Sequence, residues 1–224
     1  MLNPLIKNAY KILDGRELTR DEALELGEKI TGPEILDLVS LANKVRTKFC
    51  GTFVPCSIVN AKSGSCSQNC KFCAQSAHHN TEIESYELLD QEKVIEAAGA
   101  LNGSDVEFFG YVTSGFGYLK VDAEFEKILE TLDKLHERYP VLQLCVSFGI
   151  LTRETAKLLS EHNVQRYNMN LQVAPQRYSD LIATTHTIEE KIQTIKYLQE
   201  FGVEICCGGI FGLGETMSDR VEMA

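Results

Sequence analysis

The stretch Ser57-Ile-Val-Asn-Ala-Lys-Ser-Gly-Ser-Cys66-Ser-Gln-Asn-Cys70-Lys-Phe-Cys73-Ala-Gln-Ser76 decides how the rest of the chain is read. An apolar, β-prone segment runs straight into a loop that holds Cys66, Cys70 and Cys73 in the spacing Cys-x3-Cys-x2-Cys. A doubly wound nucleotide-binding sheet would place Gly-x-Gly-x-x-Gly after its first strand, where backbone amides meet a pyrophosphate. Thiols stand there instead. Three thiolates complete neither a tetrahedral zinc site nor a four-cysteine iron–sulfur site. They suit a cubane cluster with three irons capped by cysteine and one left open to chelate the amino and carboxylate groups of a small molecule. A structural zinc with a distant fourth ligand, or a set of buried free thiols, are the alternatives.

Composition narrows the classes. The 224 residues are 44% hydrophobic and 24% charged, which suits a soluble globular chain with one sizeable core. A net charge of −10 without any basic cluster speaks against a nucleic-acid partner. No apolar run approaches the ~18–20 residues needed to cross a bilayer, and the N-terminus lacks a signal-peptide layout. Eight cysteines in such a chain point to metal or redox chemistry rather than disulfides, and a reducing cytoplasm is the expected location. Cys50 and Cys56 flank the first strand and read as small buried hydrophobes.

The first fifty or so residues read as helical. Thr19 with Glu22 makes a capping box, and Pro33 opens a run in which Ile35, Leu38, Val39 and Ala42 recur at helical spacing. Strand candidates then alternate with helices: Ser57–Ala61, Val106–Val112, Leu142–Phe148, Arg166–Leu171 and Val203–Phe211. Phe125, Ile128, Leu132 and Leu135 form one helical stripe, and Thr187 with Glu190 caps a helix carrying Ile192, Ile195 and Leu198. Short loops between alternating elements predict a parallel sheet with right-handed crossovers. The expected organisation is a helical extension over residues 1–56 followed by a βα barrel over 57–224.

A barrel accounts for the polar residues better than an open sheet does. Thr113, Ser114 and Gly115 follow the second strand, Cys145 and Ser147 lie on the third, Asn168, Asn170 and Gln172 on the fourth, and Cys206 with Gly208 on the fifth. These are the C-terminal halves of strands, where barrel enzymes build their sites. Spacing of i, i+2 turns each group to one face. Turn formation or satisfied core amides would explain a single asparagine, but three alternating amides suit ligand binding.

The run from Asn60 through Cys66, Cys70 and Cys73 to Thr81 resembles the biotin synthases of the radical S-adenosylmethionine superfamily. So do Arg166-Tyr-Asn-Met-Asn170, Thr184-Thr-His-Thr187 and Cys206-Cys-Gly-Gly-Ile-Phe-Gly-Leu-Gly-Glu-Thr216. The resemblance implies an α/β TIM-type (βα) barrel and a 4Fe–4S cluster on Cys66, Cys70 and Cys73. It further implies reductive cleavage of S-adenosylmethionine to a 5′-deoxyadenosyl radical, and sulfur insertion that converts dethiobiotin to biotin. Phe72, Ser114, Gly115, Asn170 and Gln172 would then bind the cofactor, and Asn168, Asn170 and His186 the substrate. A flavodoxin or ferredoxin as electron donor and a homodimer are the implied partners.

Two positions depart from the family pattern. An auxiliary, sulfur-donating cluster (2Fe–2S in the better-known members) is held there by one cysteine on each of three strands and an arginine. Cys145 and Cys206 match two of these cysteines, but Gly110 stands where the second strand should carry one; Cys207 is an extra thiol beside Cys206. Gln172 replaces an acid. The barrel is also expected to be incomplete, because about five strands precede the end of the sequence where a closed barrel has eight. An unpaired sheet edge should then make the chain behave poorly in solution. A related radical enzyme without sulfur insertion, and a non-catalytic iron–sulfur module or inactive fragment, are the alternative functions.

Overall fold

The computed structural model describes every residue except Asn102. The described residues form two compact units, Val54–Ile210 and a helical one made of Met1–Phe53 with Phe211–Ala224. In the helical unit, α1 (Pro4–Ala9), α2 (Arg20–Lys29) and α3 (Glu34–Phe49) bury Ile6, Ala9, Leu26, Ile30 and Leu41 together. The capping box forms as the sequence predicts: the Glu22 amide donates to Thr19 Oγ1 at 3.2 Å, and the Thr19 amide to Glu22 Oε2 at 2.9 Å. The expected α3 stripe is rotated. Leu38, Leu41 and Val45 face the core, whereas Ile35 and Val39 are 47% and 56% exposed and Ala42 is also exposed. Both stripes have helical period and share Leu38, so periodicity gives the helix but not the covered face.

Lys11, hydrogen-bonded to the Glu22 carboxylate, and the Thr19 amide hold that carboxyl down at about 2. A depressed carboxylate stabilises the fold above its ordinary value of about 4.3, and that contribution is lost as pH falls through about 2. Glu22→Gln is therefore expected to remove a component of acid unfolding between roughly pH 4 and 2. Circular dichroism on acid titration reads this directly, and an unchanged profile would contradict it.

The larger unit holds β1 (Cys56–Lys62), β2 (Phe108–Thr113), β3 (Gln143–Ser147), β4 (Arg166–Asn168) and β5 (Glu204–Cys206). They lie side by side in chain order, every neighbouring pair parallel. A doubly wound sheet reverses its strand order at a switch point. None occurs among these five strands, so the winding is that of a barrel wall. Between them run α4 (Gln91–Gly99), α5 (Ala123–Arg138), α6 (Arg153–Glu161), the short α7 (Tyr178–Leu181) and α8 (Ile188–Glu200).

Register sorts the strand residues into two faces. Ala61, Phe109, Tyr111, Leu144, Val146 and Tyr167 point outward into the core with Phe125, Ile128, Leu132 and Leu135 of α5. The predicted α5 stripe is thus the buried one. On α8 the buried positions are Ile188, Lys191, Thr194 and Leu198; Ile192 and Ile195 are half-buried. Leu132→Ala should cost about 2–5 kcal/mol, because a fully buried leucine leaves a cavity. Urea denaturation checks it, and a loss below about 1 kcal/mol would mean the helix collapses onto the gap.

Two strands end earlier than the sequence suggests. β4 stops at Asn168 and β5 at Cys206, so Asn170, Gln172 and Gly208 sit beyond them. Pairing resumes only as a bridge between Gln172 and Gly209, with the Gln172 amide donating to the Gly208 carbonyl at 3.1 Å. Gln172 takes a φ of 66°, a left-handed conformation that interrupts a strand and that β-propensity does not reveal.

Candidate active site

The inward face of the sheet carries Cys56, Ile58 and Asn60 on β1, Phe108, Gly110 and Val112 on β2, and Gln143, Cys145 and Ser147 on β3. Arg166 and Asn168 on β4 and Glu204 and Cys206 on β5 continue it. At the C-terminal ends of the strands this face opens into a cavity of about 260 Å3. Cys66, Cys70 and Cys73 line it, together with Phe72, Ser114, Gly115, Asn168, Asn170, Gln172 and His186. Every candidate residue for the first cluster, the cofactor and the substrate therefore shares one cavity. Cys145, Cys206 and Cys207 lie outside its lining.

The cysteine loop is shaped by contacts that do not involve its thiols. The Cys66 amide donates to the Gln75 carbonyl at 3.0 Å, the Ala77 amide to the Cys66 carbonyl at 2.8 Å, and the Cys73 amide to the Cys70 carbonyl at 3.1 Å. Gln75 Oε1 accepts from the Gly64 amide and from Ser63 Oγ, and Ser114 Oγ donates to the Gly64 carbonyl at 2.8 Å. His78 and His79 donate ring N–H groups to the Ser67 and Cys70 carbonyls at 3.0 and 2.8 Å. They brace the loop. Asn69 ties it to the segment after α7: its Oδ1 accepts from the Thr184 amide at 2.9 Å and from Thr185 Oγ1 at 3.1 Å, and its Nδ2 donates to Thr184 Oγ1 at 2.8 Å. The Thr184-Thr185 motif is a clasp for the cysteine loop.

His186 completes that clasp. Its Nδ1–H donates to Gln68 Oε1 at 3.0 Å while Nε2 accepts from the Tyr178 hydroxyl at 2.7 Å. Burial, and then the nearby Lys191 cation, push its pKa below the usual histidine value, so the ring is neutral. The family resemblance offers His186 to the substrate. In the structure it lines the cavity with both nitrogens engaged, because the buried Tyr178 beneath it needs an acceptor.

Lys191 is the residue the sequence reading does not single out. It sits on the buried side of α8, 7% exposed, and donates to the Asn170 carbonyl at 2.9 Å and to Gln172 Oε1 at 2.8 Å. Gln172 is thus held in its left-handed conformation by a cation. Burial pulls the Lys191 pKa down to about 8, opposed by the Cys70 and Cys207 thiols. In turn, burial raises the Cys70 thiol and Lys191 opposes the rise. A lysine here favours thiolate at the cavity floor. Its only signal in the sequence is a charged residue standing at a core position of the α8 stripe.

The remaining cysteines separate by face. Cys145 is half-buried; burial, then neighbouring Cys206, push its thiol up to about 11, with Arg166 opposing and Cys56 adding to the rise. Asn168 Nδ2 lies 3.8 Å from Cys206 Sγ. Cys207, just past β5, interacts with Lys191 rather than with Cys145. Cys50 and Cys56 are exposed, not buried: Cys50 caps the end of α3, and Cys56 faces inward where helices do not cover the sheet.

Among the described residues, no three histidine, cysteine, aspartate or glutamate side chains gather closely enough to hold one ion. A lone zinc draws its sulfurs to about 2.3 Å of a single point. A structural zinc takes four ligands, whereas a cubane can present a separate iron to each of three cysteines, so a loop whose three thiols line one cavity fits a cluster better than a zinc. Among the described residues, no helix is long and apolar enough to cross a membrane.

Comparison with known proteins agrees with this geometry. The family model of the radical SAM superfamily matches residues 62–224. A biotin synthase of Chlorobium phaeobacteroides (strain BS1) is 47% identical over 226 residues, covering 99% of this chain and 66% of that protein. One of Chlorobium phaeovibrioides is 49% identical over 223 residues, covering 99% of this chain and 67% of that protein. The chain thus spans about two thirds of the length of these curated relatives. Among solved structures, a methylornithine synthase superposes with a TM-score of 0.82 at 16% identity, over 98% of this chain and 62% of that one. An FeFe-hydrogenase maturase from Carboxydothermus hydrogenoformans gives 0.79 at 19%, over 97% and 51%. These two likenesses concern the fold, an α/β TIM-type barrel of which the five strands form part. The family's cofactors are a 4Fe–4S cluster and S-adenosylmethionine. The strand winding, the three-cysteine loop and these matches together place the chain in the radical SAM superfamily, within its biotin synthase family.

Proposed function

We propose that the protein inserts sulfur into dethiobiotin to give biotin. The observation that carries this reading is the single cavity that joins Cys66, Cys70 and Cys73 to Phe72, Ser114, Gly115, Asn168, Asn170 and Gln172. Cys66, Cys70 and Cys73 would hold the 4Fe–4S cluster. When bound, cluster and S-adenosylmethionine supply one-electron cleavage of a sulfonium and abstraction of unactivated hydrogen atoms. The chain's own part is positioning and exclusion. The Asn69 clasp and the His78 and His79 braces fix the loop, and Phe72 lines the cavity beside the thiols. Asn168 and Asn170 offer both donors and acceptors, which suits the neutral ureido ring of the substrate. Lys191 balances thiolate charge beneath the cavity. A closed, dry site matters because so reactive a species attacks whatever lies nearest.

Cys145 and Cys206 would hold the auxiliary cluster that donates sulfur. The electron donor is a flavodoxin or ferredoxin, the working form a homodimer and the location cytoplasmic in this reading. Gly110 favours a second reading, a radical SAM enzyme without sulfur insertion, since glycine offers no ligand on β2. Anaerobic reconstitution with iron and sulfide, then S-adenosylmethionine, dithionite and dethiobiotin, separates the two. Biotin formed along with 5′-deoxyadenosine is the expected result. Deoxyadenosine without biotin would shift the assignment to the second reading, and neither product would refute both.

A further inference from the structure

We propose that Cys56 on β1 joins Cys145 and Cys206 as a ligand of the second iron–sulfur cluster, in place of the cysteine that β2 lacks. The inference rests on the auxiliary-cluster part of the proposed function and adds a ligand to it.

Barrel geometry places these three residues on one level. In an eight-stranded barrel of shear eight, equal height is reached by stepping one residue per strand, and interior side chains form layers drawn from alternate strands. Cys56 pairs in register with Phe108 and hence Gln143; Cys145 is two residues further along β3. Cys145 pairs with Arg166 and hence Glu204; Cys206 is two residues further along β5. The three cysteines therefore occupy the first, third and fifth strands with the offset that defines a layer. An independent contact fixes the direction of the step. Phe108 on β2 and Arg166 on β4 differ by the same two residues, and the Arg166 guanidinium lies 3.7 Å from the Phe108 ring centroid.

The levels above and below suit a thiolate-bound cluster. Above stand Gly110 and Asn168 on β2 and β4. Gly110 has no side chain to fill the space between Cys56 and Cys145, and Asn168 aims its amide at Cys206 sulfur. Below, Arg166 supplies a positive charge facing Cys145, paired on its far side with Glu204 at 2.7 Å. A cysteine could not simply be restored on β2, since a Cβ at Gly110 would stand 2.9 Å from Ile58 Cγ1 and 3.1 Å from the Ser57 carbonyl oxygen. Cys56, one strand over, offers the thiol that Gly110 does not. Three thiols drawn from alternate strands suit a multi-iron cluster, which spreads its thiolate ligands over more than one iron, each thiol releasing its proton as it ligates.

The test starts from protein in which Cys66, Cys70 and Cys73 are all alanine, reconstituted anaerobically with ferrous iron and sulfide. It is expected to retain more than one iron per chain, with sulfide. Adding Cys56→Ala should cut retained iron about tenfold or more, since even outer-shell changes at metal sites cost that much. Cys50→Ala should leave it unchanged. Cys56→Ser keeps an oxygen ligand and should shift the Mössbauer and visible spectra of the retained cluster, which a mere folding defect would not do. If Cys145→Ala strips the iron while Cys56→Ala and Cys56→Ser leave content and spectra untouched, Cys56 is no ligand and the Cys145–Cys206 reading survives alone. Absence of iron from the triple-alanine protein, or zinc held in its place, would overturn both.

Discussion

Changing Cys66, Cys70 and Cys73 together to alanine is expected to abolish formation of 5′-deoxyadenosine, a loss of at least about a thousandfold, equivalent to about 4 kcal/mol of barrier. The thiols line the cavity, but their Sγ atoms are not what shapes the loop. Its path is fixed by backbone hydrogen bonds at Cys66, Cys73 and Ala77, by Asn69, and by the Gln75, His78 and His79 side chains. Folding and function should therefore separate. The triple variant is expected to melt within a few degrees of the parent when both are iron-free, while losing cofactor cleavage entirely. Product chromatography and thermal melting measure the two. Persisting deoxyadenosine would remove the loop from the reaction; a collapse in melting temperature would mean the thiols also pack structurally.

Lys191→Met should be the most damaging change outside the loop. The side chain is buried beside the Tyr178 ring, 5.4 Å from its centroid, and serves two acceptors, the Asn170 carbonyl and Gln172 Oε1. Methionine fills similar space but donates nothing. A buried and a part-buried acceptor lose a charged donor, and a buried group left unpaired costs about 1–3 kcal/mol, so a loss of about 2–4 kcal/mol is expected. Gln172, held at φ 66°, would be free to relax, carrying Asn170 with it. Cofactor cleavage should fall about ten- to a hundredfold, since 1.4 kcal/mol corresponds to a factor of ten. Urea denaturation gives the first quantity and deoxyadenosine formation the second. A stability change below about 1 kcal/mol would indicate that water replaces the ammonium.

Much of this was readable before any coordinates. Five strands fall where alternation of apolar segments and turns puts them, and the capping boxes at Thr19 and Thr187 start the helices they predict. Cys66, Cys70 and Cys73 announce themselves because metal ligation by a short loop demands fixed spacing. Residues whose role depends on distant partners were not readable in the same way. The Thr184-Thr185-His186 motif was visible as a motif, yet its work of gripping Asn69 and Gln68 joins positions more than a hundred apart. Lys191 looks like any helix lysine until the cavity behind α8 is seen. Helical period gives α3 but not its covered face, because two stripes fit that period.

Local chemistry travels with the sequence: the cluster loop, the caps, the β-prone runs and the alternation that sends Asn168 and Cys145 inward each follow from residues a few positions apart. Fold class and cofactor type were fixed at that level. The tertiary structure alone decided which cysteines share a level. Cys56, Cys145 and Cys206 lie far apart in the chain, and only the stagger between parallel strands brings them into one layer. Strand stagger is a property of how the sheet curves, and no spacing along a single chain encodes it.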